Sequence, residues 1–339
     1  MKEKRKTIYR TLLVLLIMII AMYIIMKDDY EVILKNLSSA NTLFILIAFV
    51  LVCVYYGLKT ICMYLIAREY KKNIKFVKIL EQTLITQFFN GITPFSTGGQ
   101  PGQVYMLKNS GLSVASATSI TIQDFLMYQV ALVVMGILSL LFNGIFNIIN
   151  ISSGLFNLII LGFIINISVG LLLVFISFSK KFNDFAGKFI IKLLSKMRIV
   201  KDKKKTAEKW EEKLDEFNNS AKLFKDNKML LLKCFLFNLL ALTVYYSISF
   251  FIFKSINADT SAITILSSIV ISSFILLVGN FIPLPGGSGG IEGAFLALFG
   301  MFSKSGIVKT ALILWRSVTY YFGVLIGGIT LSFYKGDKK

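Results

Sequence analysis

Long apolar runs separated by short polar or basic segments dominate the chain. These runs predict helices over Ile8–Met26, Leu43–Ile66, Val114–Phe142, Leu155–Phe178, Leu230–Phe253, Ile263–Phe281 and Ile307–Phe333, with a weaker apolar stretch over Ile79–Phe89. About 20 apolar residues in a helix cross a bilayer. The pattern therefore predicts an all-α, polytopic membrane protein. No small-residue cleavage site follows the first run, so we expect it to be a retained helix rather than a removed signal.

Composition agrees with the membrane prediction and narrows the chemistry. Hydrophobic residues make up 55% of the chain and charged residues only 16%, against about 25% in a soluble domain. The chain has no histidine, and its three cysteines show no metal-ligand spacing. We therefore expect no metal, no cofactor and no disulfide framework. No catalytic constellation or phosphate-binding nucleotide loop is present in the sequence, so an enzyme is not favoured.

The formal net charge of +19 is concentrated in a few segments between the apolar runs. These are the N-terminus, residues 68–78, residues 180–228 and the C-terminus. Basic segments flanking membrane helices are typical of cytoplasmic loops, whereas a nucleic-acid-binding protein would show a recognisable reader motif. We expect one transmembrane domain over 1–339 in the cytoplasmic membrane, with both termini and the basic loop 180–228 in the cytoplasm.

Two glycine-rich stretches interrupt the apolar body, and they hold all four prolines of the chain. "NGITPFSTGGQPGQVY" contains Pro94 and Pro101, and "GNFIPLPGGSGGIEGAF" contains Pro283 and Pro285. Proline stops a helix, and glycine allows a sharp turn and the close approach of another group. Irregular backbone at membrane depth is tolerated only where protein buries it or where it lines a cavity.

The cytoplasmic location of the basic segments predicts how these two stretches enter and leave the membrane. The chain must leave and re-enter the cytoplasmic side between Lys78 and Lys108, and it must start and finish outside between Ile263 and Ser303. We therefore predict about six full spans plus two re-entrant hairpins that enter from opposite faces, an inverted repeat. The returning limbs are predicted at about Gln103–Lys108 and Ile291–Phe302. Because Ile263–Phe281 is long enough to span, an eight-helix arrangement stays open.

The returning limbs would direct helix N-termini toward the membrane centre, where free N–H groups attract anions. We predict a central site for an anionic headgroup; the alternative is that the breaks are tight packing turns without a ligand. Of Tyr320 and Tyr321, one is expected to line a cavity, and Asn90 and Asn280 are expected to cap freed backbone groups. The candidate headgroup-binding residues are Asn90, Thr93, Gly98, Gly99, Gln100, Tyr105, Asn280, Gly286, Gly287, Ser288, Arg316 and Tyr320.

Three charged residues stand out within the apolar segments: Asp124, Glu292 and Arg316. Ionisable groups at this depth are costly and usually face a partner or a wet cavity. Arg316 either holds a lipid phosphate or forms a structural ion pair with Glu292 or Asp124. Glu292 is also explained by the dipole of the helix that it opens. Asp124 pairs with Arg316 or carries a coupling proton.

The two interrupted stretches together resemble the transmembrane flippase region of the lysylphosphatidylglycerol synthase family, also called multiple peptide resistance factor. "ITPFSTGGQPGQVYMLKNSGLSVASATS" is similar to its first signature and "GNFIPLPGGSGGIEGAF" to its second. The resemblance covers about residues 8–335. It implies movement of an anionic or aminoacylated phospholipid, such as lysylphosphatidylglycerol, across the membrane, and resistance to cationic peptides.

The sequence also departs from that family. The chain ends at "YKGDKK" after the last predicted helix, so we expect no lysyltransferase activity, and Gln100 and Gln103 stand where some relatives carry charges. Three alternatives stay open: a lysyltransferase-type lipid enzyme or a partner of one, a polyprenyl-phosphate carrier, and a small-ion or solute transporter. The sequence leaves open whether a separate lipid synthase or a second copy of the chain is a partner.

Overall fold

The computed structural model describes residues 29–185, 211, 214–219, 222, 226–256, 262–279 and 284–334. Within these residues the chain is helical and forms no strand, as predicted. The helices are α1 Tyr30–Ser38, α2 Thr42–Tyr70, α3 Phe76–Ile92, α4 Gly99–Asn109, α5 Val114–Phe146, α6 Ser153–Phe178, α7 Lys228–Ser255, α8 Ile265–Gly279, α9 Gly290–Phe299 and α10 Ser305–Phe333. The predicted first helix Ile8–Met26 and most of the basic loop 180–228 lie outside the described residues.

Five of these helices, α2, α5, α6, α7 and α10, are long and apolar enough to cross a membrane. The shortest of them, α6, has 26 residues, which corresponds to about 39 Å at 1.5 Å per residue. That length exceeds the hydrocarbon thickness of about 30 Å. The prediction of a multi-pass helical membrane protein is confirmed.

Contacts between helix ends define two ends of the helix bundle. At one end, which we call the basic face, the Asn227 amide donates to Glu69 at 3.4 Å, and the Lys78 ammonium lies 5.7 Å from the centre of the Tyr334 ring. At the other end, the opposite face, the backbone N–H of Asn41 donates to the Ser255 carbonyl at 2.7 Å. Helices α2 and α7 therefore run antiparallel, and residues 68–78 lie at the same end as the end of α10.

The first interrupted stretch forms a hairpin that starts and ends at the basic face. Helix α3 begins at Phe76, within the basic segment 68–78, and α4 ends at Asn109. The Lys71 ammonium donates to the Ser110 carbonyl at 2.7 Å, which fixes the end of α4 beside the start of α3. The hairpin predicted from sequence is present, although α4 begins at Gly99, four residues before the predicted limb.

The second interrupted stretch forms a hairpin from the opposite face. Helix α8 ends at Gly279 after 15 residues, a rise of about 22 Å, which is short of a full span. Helix α9 returns, and the ring of Phe299 lies 4.8 Å from that of Phe253 at the end of α7. The structure therefore favours two opposed hairpins over eight full spans. The returning limb ends at Phe299, three residues before the predicted end.

The position of α8 explains why its sequence is apolar on every side. Nearly all of its residues from Ser267 to Gly279 are buried, because α5, α6, α7 and α9 surround it. A helix enclosed by protein has no polar face. Helix α3 instead packs closely against the second half of α10, where Gly327 lies against the Leu84 carbonyl. Small residues of this kind let helix backbones approach within a membrane.

Candidate functional site between the two helix breaks

The first break turns the chain between α3 and α4. Phe95 and Ser96 adopt φ angles of 54° and 53°, a left-handed conformation that is uncommon for residues other than glycine. Two side chains bind the amides that the turn frees: Thr93 Oγ1 accepts from the Gly98 N–H at 2.8 Å, and Asn90 Oδ1 accepts from the Gly99 N–H at 3.0 Å. Asn90 is thus a capping residue, as predicted. Phosphate binding by Gly98 and Gly99 would require exchange of these bonds.

The second break turns the chain between α8 and α9. Gly286, Gly287 and Gly289 have φ angles of 61°, 65° and 85°, which glycine adopts at little cost. The Glu292 carboxylate accepts from the Gly289 N–H at 2.6 Å and so caps the start of α9. Two candidate residues of this stretch, Asn280 and Pro283, lie outside the described residues.

Side chains of one helix, α10, form hydrogen bonds to the second break and to the end of α3 beside the first break. Both terminal nitrogens of Arg316 on this helix donate hydrogen bonds of 3.3 Å to the Gly286 carbonyl. The same guanidinium forms an ion pair of 2.6 Å with Glu292. The Tyr320 hydroxyl of this helix donates to the Gly91 carbonyl, at the end of α3, at 2.8 Å. The turn between the two residues is π-helical over Ser317–Tyr321, a distortion that is frequent at functional sites. The two breaks contact each other.

A cavity of about 590 Å³ lies between the breaks and the surrounding helices. Both breaks contribute to its wall, as do α2, α5, α6, α7 and α10. Seven of the candidate headgroup-binding and intramembrane charged residues line it: Asn90, Gln100, Asp124, Gly286, Gly287, Arg316 and Tyr320. Irregular backbone therefore borders a cavity that polar and apolar residues line together, and backbone of this kind is tolerated within a membrane where it lines a cavity.

Other candidate residues are placed behind the cavity wall or away from it. Thr93, Gly98, Gly99, Ser288, Glu292 and the prolines Pro94, Pro101 and Pro285 shape the breaks but do not line the cavity. The Ser288 hydroxyl donates to the Pro285 carbonyl at 2.7 Å within the turn. Tyr105 is 63% exposed on α4 and does not line the cavity. Of the two adjacent tyrosines, Tyr320 lines it and Tyr321 does not.

The charge partners differ from one of the predicted pairings. Arg316 pairs with Glu292 and not with Asp124. Asp124 Oδ2 instead lies 3.7 Å from the ammonium of Lys59, a residue that sequence reasoning missed. The Lys59 ammonium donates to Asn238 at 2.9 Å and lies 4.8 Å from the centre of the Tyr128 ring. Lys59 could have been found in the sequence as a charged residue 17 positions after the start of a mostly apolar helix.

Uncharged polar residues of the cavity wall were also missed. Tyr55 and Tyr56 on α2 line it, as do Gln129 on α5 and Asn166 on α6. The Gln129 amide donates to Asn166 Oδ1 at 2.8 Å, which joins α5 to α6. Buried amides inside an apolar run are the sequence signal that could have found this pair, because they require a partner.

Several polar atoms at the cavity have no hydrogen-bond partner within the described part of the chain. They are Asp124 Oδ1, Arg316 Nε and Gln100 Oε1, all buried. Asp124 is 6% exposed and Arg316 is 5% exposed. Unpaired buried polar atoms are rare in proteins and each calls for an explanation. Among the described residues no group of three or more acidic or cysteine side chains could hold a metal ion.

These features define a multi-pass helical membrane protein in which two opposed, broken hairpins border a cavity lined by both polar and apolar residues. The chain matches the family model described as the lysylphosphatidylglycerol synthase TM region over residues 8–327, and it belongs to that family. It is also 25% identical over 315 residues to a protein of Archaeoglobus fulgidus named UPF0104 membrane protein, with 88% of each chain covered. The resemblance noted in the sequence is thereby confirmed.

Proposed function

We propose that this protein is a lipid translocase that carries a phosphate-bearing lipid headgroup across the cytoplasmic membrane through the central cavity. One observation carries the proposal: the cavity is enclosed by two breaks from opposite faces and contains the buried Arg316. A site reached from each face in turn is the usual arrangement of transporters built from opposed broken helices. The family relationship supports a lipid as the substrate.

The chemistry of Arg316 suits a phosphate. Guanidinium groups bind phosphate oxygens through two parallel hydrogen bonds. The terminal nitrogens of Arg316 contact the Gly286 carbonyl and Glu292, whereas Nε is unpaired. A phosphate entering the cavity would use Nε and displace one of the other contacts. Its acyl chains would remain among the bilayer lipids, so only the headgroup would need the polar cavity.

The size of the cavity agrees with this role. Its volume of about 590 Å³ falls in the range of about 300–1,000 Å³ that is typical of small-molecule sites. A polar headgroup crossing bare hydrocarbon loses its hydration without replacement. Polar side chains on seven helices, together with the breaks, would supply replacement contacts. We propose that the basic face is cytoplasmic, because basic segments are retained on that side.

The test is translocation by the purified chain in liposomes. Phosphatidylglycerol with a fluorophore on one acyl chain is placed in both leaflets, and a membrane-impermeant reductant bleaches the outer leaflet. We expect bleaching to proceed beyond half of the signal only when the protein is present. Bleaching that stops at half would contradict the proposal. Two parallel assays address the alternatives: incorporation of lysine from charged tRNA would indicate a lipid enzyme, and ion flux without lipid movement would indicate an ion transporter.

A further inference from the structure

The charges around the cavity cancel. Within the described residues, the charged side chains that line it are Lys59, Asp124 and Arg316, and Glu292 is paired with Arg316 behind the wall. Two positive and two negative groups are thus held in two pairs. The described residues therefore give an occupant a site whose formal charge is zero.

Each charged pair keeps one atom free for an occupant. Asp124 Oδ1 is a buried acceptor without a donor, and Arg316 Nε is a buried donor without an acceptor. The Lys59 ammonium is 3.7 Å from the other Asp124 oxygen, beyond hydrogen-bond distance, and donates to Asn238 instead. At Asp124 the cavity thus offers an acceptor that a cationic group of an occupant could bind. At Arg316 it offers a donor that an anionic group could bind.

We propose that the occupant is a zwitterionic headgroup with one phosphate and one ammonium and no net charge. The phosphate would bind at Arg316 and the ammonium at Asp124. This proposal rests on the translocase function and names its substrate class. Charge left uncompensated in a low-dielectric interior is costly. A neutral cavity should therefore accept a neutral headgroup more readily than an anionic or a net cationic one.

The test compares three lipids in the same liposome assay. All carry the fluorophore on an acyl chain, so their headgroups are unaltered: phosphatidylglycerol at −1, phosphatidylethanolamine at zero and lysylphosphatidylglycerol at +1. We expect the zwitterionic lipid to move fastest, by about tenfold over each of the others, a discrimination that corresponds to about 1.4 kcal/mol.

Charge substitutions should shift this preference in opposite directions. Asp124→Asn makes the cavity positive and should favour the anionic lipid. Lys59→Gln makes it negative and should favour the lysylated lipid. The readout is the ratio of rates within one preparation, which a general loss of folded protein does not change. Lys180→Gln, which removes an exposed ion pair with Asp215, is the control and should leave the order unchanged.

The outcomes separate this proposal from the translocase function. If no lipid moves, both fail. If lipids move but phosphatidylglycerol or its lysylated form is fastest in the unmodified chain, the translocase stands and the zwitterionic assignment is overturned. Equal rates for all three lipids would overturn it as well. Opposite shifts in the two single variants, with the zwitterionic lipid fastest in the unmodified chain, support it.

Discussion

The Tyr320 hydroxyl donates a hydrogen bond of 2.8 Å to the Gly91 carbonyl, and the same tyrosine ring packs on Gly286. Gly91 lies at the end of α3 and Gly286 in the second break. A single side chain therefore holds together hairpins that enter from opposite faces. Gly91 is buried, so loss of the bond leaves its carbonyl without this partner.

Tyr320→Phe should destabilise the protein by about 1 kcal/mol or more, the usual range for a buried hydrogen bond whose partner stays unpaired. The packing of the ring on Gly286 is preserved, so the protein should still fold. Thermal unfolding in detergent measures the change. Tyr321→Phe is the matched control, since it removes a hydroxyl from the next residue and leaves the Gly91 bond intact. Equal melting temperatures for the two variants would show that the bond contributes nothing.

Gly286→Ala should be severely disruptive. Gly286 has a φ of 61°, and a Cβ there would overlap the Tyr320 ring. A left-handed conformation costs a residue with a Cβ roughly 1–2 kcal/mol, and the steric overlap adds to this. We expect lower yield and a lower melting temperature. In Gly293→Ala the added methyl group meets nothing within 4 Å, so this variant should fold normally. A stable Gly286→Ala would show that the break is not as tightly packed as described.

A double substitution of Arg316 and Glu292 distinguishes a structural role of Arg316 from a role in headgroup binding. Glu292→Gln leaves the Arg316 charge buried without a counterion and should destabilise the protein by a few kcal/mol, as should Arg316→Gln. The double variant, with both residues changed to Gln, removes both charges and should recover much of the stability. If Arg316 also binds the headgroup, the stable double variant still fails to translocate lipid. A double variant that translocates at the normal rate would leave Arg316 with a structural role only.

The helix bounds show how much of this fold can be read from sequence. The apolar runs predicted α5 and α6 to within four residues at either end, because lipid-facing helices must be apolar throughout. The hairpins followed from proline and glycine positions combined with the sidedness of basic segments. The prediction could not decide between a span and a re-entrant limb for α8, because a helix buried on all sides has the same composition as one that crosses lipid.

The site was predicted less completely than the fold. Residues of the breaks, such as Asn90 and Gly286, were found because their composition is unusual for a membrane segment. Lys59 was missed because it lies far along the chain from Asp124, and only the packing of α2 against α5 brings the two together. Thr93 and Gly98 were assigned to the ligand, whereas their groups bind each other within the turn. Local sequence shows which groups are freed but not which neighbour satisfies them.

The attachment of the short helix α1 to the opposite face should weaken at acidic pH. The Asp29 carboxylate accepts from the Lys309 ammonium at 2.6 Å and from the Ser305 hydroxyl at 3.0 Å. Both contacts lower the pKa of that carboxyl, and Lys309 has the larger effect. Because the folded pKa lies below the unfolded value of about 3.9, the contact stabilises the fold above that pH and is lost as the pH falls through the folded pKa. A nitroxide at Glu31 should become mobile only in this acidic range.

The control for this prediction is Lys309→Met, which removes the first of the two donors. The nitroxide at Glu31 should then be mobile already at neutral pH, and acidification should have little further effect. A label that is equally immobile in both proteins at neutral pH would mean that packing of α1, including that of the buried Ile33, holds the helix without the ion pair.

The meeting of the two breaks is tested most directly by a distance. In a chain without Cys53, Cys62 and Cys234, nitroxides at Thr97 and Leu284 mark the two breaks, and a second pair at Lys72 and Lys304 marks the two faces. Pulsed electron resonance in liposomes should give a Thr97–Leu284 distance well below the hydrocarbon thickness of about 30 Å, and a Lys72–Lys304 distance of at least that thickness. A Thr97–Leu284 distance equal to or longer than the Lys72–Lys304 distance would contradict the account.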